Sequence, residues 1–304
     1  MDTSSNIPAR PYGAVVLGLV QGVAMPEKSF PSLKGRLGHA RVAVLTIIKE
    51  EFEAAQAVLG LHDEVTDTGY VTAGQREDGD YDVVLCEATA RSNVASATRT
   101  TEIIEDFRPE VILLVGIAGG ILDEKGIGRD GVALGDVVVA DYVSYTEFMK
   151  ITEGKTSLRY VAIDHPSVHL LGNVLKPLLR KFKLADVVQI DRPDKATTPK
   201  VIEGEIVSGE KVWGGVDDPV QIELMKPFEK ALAVDMESHG MARAVCERRT
   251  SVWYNPRYLV IRGISDLVGV KDNNEIRGVW KTYAAHTASH VAKAFVDRLL
   301  GVVA

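Results

Sequence analysis

Carboxylates stand behind three apolar runs of this sequence: Glu50 and Glu51 behind residues 42–48, Asp235 and Glu237 behind 231–234, and Asp266, preceded by Ser265, behind 258–264. A carboxylate can fix a hydroxylated substrate by accepting its hydroxyls, a carboxylic acid can protonate a departing group, and a further carboxylate can take a proton from water. Together these are the parts of a cofactor-free hydrolysis. Each position also has a purely local use. Asp235 and Glu237 favour a helix N-terminus, Asp266 suits an N-cap, and Glu50 with Glu51 suits a solvated helix start. Taken singly, no position decides between the two uses.

The segments that must hold these groups follow an α/β pattern. Residues 42–48 form a β-branched apolar run, and Phe52, Ala55, Val58 and Leu59 then recur at helical spacing. A second strand is predicted over 81–86 and a helix over 92–107. Behind Pro109, residues 111–115 form an uninterrupted apolar strand of the kind buried on both faces. Gly116, Ile117, Ala118, Gly119 and Gly120 follow at once and are expected to form a flexible, nearly side-chain-free turn at the carboxyl end of that strand, where α/β sheets bind ligands. Further strands are predicted over 137–140, 206–212 and 258–264, with helices over 168–182, 235–246 and 280–300. Such alternation implies parallel pairing. The expected fold class is α/β, a single domain with a mixed, mostly parallel twisted sheet flanked by helices on both faces. Residues 41–304 are assigned to it, and residues 1–40 to an N-terminal extension or linker.

A formal charge of −7 argues against a nucleic-acid surface, which needs a dense basic face, and points to a small-molecule partner. Cys86 and Cys246 are far apart, so neither a disulfide framework nor a cysteine zinc site is expected, and the chain reads as cytoplasmic. The apolar run 14–25 follows Arg10 but is broken by Gly18, Gln21 and Gly22. It is too short to span a membrane, and is read as part of an extension packing on the domain or on a second subunit. His286 and His290 have the spacing of a metal pair but lack the glutamate of HExxH and a third ligand, so no metal is expected. GIAGG does not give the GxGxxG spacing, and no cofactor is expected. His239 is expected on a helix surface.

Six ordered segments, VAVLTIIKEEFEA, VGIAGG, LGDVVVADYV, IVSGEKVW, ALAVDMESHGMARAV and VIRGISDLVG, resemble the nucleoside phosphorylase and nucleosidase superfamily. The likeness is to its 5′-methylthioadenosine/S-adenosylhomocysteine nucleosidase branch. It is similar in particular to the nucleosidase domains that act as effector modules in defence proteins, which share the long tail after ISDL. The resemblance implies cleavage of the bond between a purine, here adenine, and its ribose. It implies that Glu51 activates water, that Glu237 binds the ribose hydroxyls with Met236 packed on the sugar, and that Asp266 protonates N7 with Ser265 supporting it. Ala118 and Gly119 would line the sugar and base pocket. The backbone at Val212 and Trp213 would read the base edge, with the Trp213 side chain covering it. A homo-oligomer is implied as well.

Phosphorolysis requires a phosphate beside the anomeric carbon, and the phosphorylases of the superfamily carry arginines beside their glycine turns. GIAGG carries none, and TIIKEEFE places a carboxylate where phosphate would be repelled, so water is the expected nucleophile. The family's glycine-rich turn after the second strand reads Ala88-Thr89-Ala90-Arg91-Ser92-Asn93. Arg91 falls where the methylthioadenosine enzymes carry an apolar residue facing the 5′ substituent. A guanidinium there suits a phosphate, with Arg99 assisting; the alternative is that Arg91 faces solvent or pairs with a nearby acid. The 5′ group therefore stays open between phosphates, as in AMP or ATP, and methylthio or homocysteinyl. A phosphate-dependent phosphorylase and a module that binds nucleotide without turnover are the rival readings.

Overall fold

The computed structural model describes residues 35–61, 69–75, 79–153, 155–159, 165–194, 198–212, 219–249 and 253–302. Most of the extension expected over 1–40, its residues 1–34, lies outside them, as does Trp213.

The first strand, β1 (Ala40–Thr46), is buried on both faces. Ala43 and Leu45 share a core with Ile103, Phe107, Met241 and Val245. Val42 and Val44 share another with Ala55, Val291, Ala292 and Phe295. Helices thus cover the sheet on both sides, which is why β1 reads as a continuous apolar run rather than an alternating one. The chain continues through α1 (Lys49–Leu59), β2 (Tyr70–Gln75), β3 (Tyr81–Glu87), α2 (Asn93–Phe107) and β4 (Val111–Gly120). Gly60 at φ 67° ends α1 in the left-handed conformation that glycine adopts freely. Ser92 Oγ accepts from Ala95 N and starts α2. At the other end of α2, Arg36 N and Leu37 N donate to the carbonyls of Glu105 and Asp106, so the chain is already tied down before β1.

The second half runs through β5 (Val137–Tyr145), the hairpin β6 (Met149–Thr152) and β7 (Lys155–Leu158), a π-helical turn (Leu170–Leu175) continued by α3 (Lys176–Leu179), and α4 (Leu184–Val187). It closes with β8 (Val201–Ser208), α5 (Pro219–Met225), β9 (Ala231–Asp235), α6 (Ser238–Glu247), β10 (Arg257–Leu267) and α7 (Asn273–Leu300). The main sheet has the order β10-β5-β8-β9-β4-β1-β3-β2, and β10 also pairs with β4. β4, β10, β5, β8 and β9 therefore close into a ring, from which β1, β3 and β2 extend as an open wing. Pairing is parallel except at β10–β5, β4–β9 and β2–β3.

Several boundaries differ from the sequence reading. The glycine-rich stretch is not a turn but the second half of β4, in register with β10 from Gly116 opposite Arg262 to Gly120 opposite Leu267. Its glycines serve close approach: a Cβ on Gly116 would lie 2.4 Å from Glu51 Oε1. The strand predicted over 206–212 is β8, which ends at Ser208, and the helix predicted from 235 starts at Ser238 because Asp235 still belongs to β9. α7 begins seven residues before the predicted 280.

Candidate active site

Arg262, in the middle of β10, is fully buried. An isolated guanidinium could not persist there, and carboxylates from two further elements surround it. Asp235, the last residue of β9, accepts from Nε at 2.8 Å and lies 2.7 Å from Nη2. Glu237, just before α6, accepts from Nη2 at 3.1 Å. Nη1 stands 3.9 Å from Glu51 Oε1, a charge contact rather than a hydrogen bond. Asp235 Oδ1 also accepts from the backbone N–H groups of Glu237 and Ser238, which fixes the start of α6 relative to the strand.

Glu51 is held from three sides. Oε2 accepts from Ile47 N at 2.7 Å and Ile48 N at 3.1 Å, and Oε1 accepts from Ile117 N at 2.8 Å. Burial raises its pKa, against which Arg262 and the backbone donors act. Since N–H groups face both oxygens, a proton on either would cost a hydrogen bond, and we assign the anion. Glu237 has fewer donors, namely Arg262 and Met236 N at 3.3 Å. Burial pushes its carboxyl up to about 7, with Asp235 and Glu51 adding repulsion that Arg262 opposes in part. The cluster thus pairs Glu51, held by three N–H donors, with Glu237, whose carboxyl has fewer donors and a raised pKa.

Asp266 lies farther along the same pair of strands. A bulge in β10 between Ile264 and Asp266 puts Asp266 opposite Gly119, and bulges re-aim side chains in this way. Ser265 Oγ donates to Asp266 Oδ1 at 2.6 Å, and Asn273 Nδ2, at the start of α7, donates to Oδ2 at 3.0 Å. A Cβ on Gly119 would come within 3.2 Å of Oδ2, so the glycine leaves the carboxyl accessible from the strand. From Gly116 beside Arg262 to Gly119 beside Asp266 the strand advances three residues, about 10 Å.

Glu51 and Glu237 meet at Arg262, with Met236 half-buried beside them. Asp266, Ser265, Ala118 and Gly119 meet at the far end of β4. Val212 lies beyond β8 and its side chain is 81% exposed. The segment before it is tied to the site through Gly209 N, which donates to Asp235 O at 3.1 Å, while Asn93 Nδ2 donates to Gly209 O at 3.3 Å and Lys211 pairs with Glu147. Arg91 is exposed in the loop behind β3, and its charge acts on Glu50. Arg99 is engaged away from the site, with Glu102 at 2.8 Å and over the Tyr70 ring. His239 is not on the surface as expected: it is buried and stacked on Tyr145 with centroids 4.0 Å apart. Burial, and Arg243 next, lower its pKa to about 4, so it is neutral.

Arg262 and Asp235 were missed as a pair. The signal was an arginine inside a run otherwise apolar enough to be a buried strand, which demands a buried acidic partner. A groove of about 1680 Å³ lies beside Val234 and Val268 and is lined by Asp141, Glu203 and Glu205, but none of Glu51, Glu237 or Asp266 lines it. No group of three or more His, Cys, Asp or Glu side chains is placed to hold a metal ion among the described residues.

A family model described as the Phosphorylase superfamily matches residues 41–300. The ATP nucleosidase Cap17 of Escherichia coli (strain KTE188) is 28% identical over 242 residues, covering 74% of this chain and 45% of that protein. The chain thus spans less than half the length of that relative. A 5′-methylthioadenosine/S-adenosylhomocysteine nucleosidase of Staphylococcus aureus (strain JH9) is 30% identical over 223 residues, 72% of this chain and 83% of that one. Among solved structures, the nucleosidase of the same name from Colwellia psychrerythraea 34H, in complex with adenine, has a TM-score of 0.63 at 21% identity, covering 86% of this chain and 96% of the other. The futalosine hydrolase of Helicobacter pylori strain 26695 has a TM-score of 0.60 at 20% identity, covering 85% and 97%. These two show the same mixed α/β fold. The chain belongs to the phosphorylase superfamily.

Proposed function

We propose that the protein hydrolyses the N-glycosidic bond of adenine nucleosides or nucleotides. The observation that carries this is the disposition of Glu51, Glu237 and Asp266 along the β4–β10 pair, with Arg262 committed to the first two. Glu51, anionic between its N–H donors, takes a proton from water as the water oxygen bonds C1′. Glu237 accepts the ribose hydroxyls and stabilises the positive charge that develops on the sugar. The electron pair of the C1′–N9 bond leaves with the base, which receives at N7 a proton that Asp266 has taken from solvent, the Ser265 hydroxyl turning from donor to acceptor to make room for it. The relatives named as nucleosidases of adenine-containing substrates support the choice of base.

Water rather than phosphate is the nucleophile in this reading. The guanidinium beside the glycine-rich strand is occupied by Asp235 and Glu237, and carboxylates there would repel a phosphate. The exposed Tyr142, Phe148 and Ile151 accord with a homo-oligomer. The two free cysteines accord with a cytoplasmic setting, and no helix among the described residues is long and apolar enough to cross a membrane.

Chromatographic detection of adenine after incubation with methylthioadenosine, adenosine, AMP and ATP, with and without phosphate, tests the proposal. Adenine release independent of phosphate is expected. A rate that requires phosphate and yields ribose 1-phosphate would make the protein a phosphorylase. Nucleotide binding without adenine release would make it a binding module.

A further inference from the structure

The face of α7 that passes the site carries charge that the hydrolytic chemistry does not use. Asn273, Arg277 and Lys281 are spaced four residues apart, so they rise from one face of the helix at steps of about 6 Å. Both ends of this row are anchored in the site. Asn273 Nδ2 bonds Asp266, and Lys281 Nζ meets Glu50 Oε1 at 2.5 Å, one residue from Glu51. Arg277 stands between the anchors, half-buried, and among the described residues it makes no hydrogen bond or ion pair. From the loop behind β3, Arg91 adds to the field at Glu50, whose carboxyl is held below its ordinary range chiefly by Lys281. Glu87 is repelled by Glu50, Glu51 and Glu53 across the same rim, and of the three cations only Lys281 is ion-paired among the described residues.

We infer that Arg277, Lys281 and Arg91 form the subsite for the 5′-phosphate chain of the substrate, so that the substrate class is a purine nucleoside 5′-phosphate. The inference rests on the hydrolase reading above. A ribose reaching from Asp266 toward Glu51 lies alongside the α7 row, and its C5′ substituent leaves the site between Arg277 and Arg91. A thioether would gain nothing from guanidinium groups there, whereas phosphate oxygens accept from them in charge-assisted pairs. Glu50 holds Lys281 in place and yields it to a polyphosphate, which brings more charge and more acceptors.

Titration calorimetry on the full chain separates this subsite from the hydrolase reading. A Glu51→Gln background stops turnover, and adenosine, AMP and ATP without added metal are the titrants. ATP is expected to bind more tightly than adenosine. Arg277→Gln is expected to weaken ATP about ten- to a hundredfold, the range of a hydrogen bond to a charged group, and to leave adenosine unchanged. Arg91→Gln, in an exposed loop, is a second variant that cannot disturb the core, and it should weaken ATP in the same selective way. ATP binding no tighter than adenosine, or ATP binding unaltered in both variants, overturns the subsite. Adenine release from methylthioadenosine together with that result would leave the hydrolase standing without a phosphate site. Arg277-dependent ATP binding with no adenine release from the parent protein would do the reverse.

Discussion

Replacing Arg262 by Met tests whether one guanidinium holds the catalytic cluster together. Among the described residues, Asp235, Glu237 and Glu51 have no other lysine or arginine as an ion-pair partner. All three carboxylates are buried, and methionine fills much of the volume without supplying charge. Removing one partner of a buried ion pair costs about 3–5 kcal/mol, a large share of the roughly 5–15 kcal/mol that stabilises a typical domain. Asp235 and Glu237 sit closest and contribute most of this loss. The loss should depend on pH, because the abandoned carboxylates can escape their charge by binding protons in the folded state. In the unfolded chain the same groups titrate near their ordinary values. The folded variant then binds more protons than the unfolded one, and its stability falls as pH rises, by about 1.4 kcal/mol per pH unit for each extra proton. The parent protein carries part of this slope itself, because Glu237 is already raised to about 7. Urea unfolding of both proteins at pH 5.5 and 8.5 measures the effect. The gap between them should widen with pH, and Asp235→Asn added to the variant should return part of the loss at the higher value. A gap below about 1 kcal/mol at pH 8.5, or one that does not change with pH, refutes the view that Arg262 compensates these acids.

Two further outcomes are expected. In the proposed mechanism Glu237, its carboxyl pushed up to about 7 by burial, accepts the ribose hydroxyls as the anion, so kcat/KM should rise with pH up to about 7. Glu237→Gln should lower the rate and abolish that limb, whereas a limb in the ordinary carboxylate range that survives the substitution would assign it to another group. Gly116→Ala places a methyl 2.4 Å from Glu51 Oε1 and 2.5 Å from Arg262 Nη1. It should abolish adenine release and cost about 1–3 kcal/mol by overpacking; a variant with parental activity would show that Glu51 is not fixed against β4.

The alternation of strands and helices, the carboxylates at strand ends and the glycine-rich segment were legible in the sequence because each has a local signature. Glu51 follows an apolar run by a fixed short step, and α1 carries it to β4, where one oxygen accepts from Ile117 N and the other from the N–H groups of Ile47 and Ile48. The closing of the ring was not legible, since the pairing of β4 with β9 joins residues more than a hundred positions apart. Glycines were read as flexibility when their use is proximity, a distinction that depends on what packs opposite them. Asp235 and Glu237 looked like helix-start acids, and one of them does organise α6, but their chief partner lies on another strand. The ties of the segment before Val212 to Asp235, Asn93 and Glu147 join residues that no local pattern brings together.

The bulge and the row along α7 divide the site into two parts with different freedom to change. Glu51, Glu237, Arg262 and Asp266 are buried and joined to one another or to backbone groups, where large changes of volume or charge also cost stability. Arg91, Arg277 and Lys281 stand on a loop and a helix face in contact with solvent, where substitutions usually alter stability by less than about 0.5 kcal/mol. On the proposed assignment, descendants of this chain could exchange the group attached to C5′ by single surface replacements while the buried cluster is inherited unaltered.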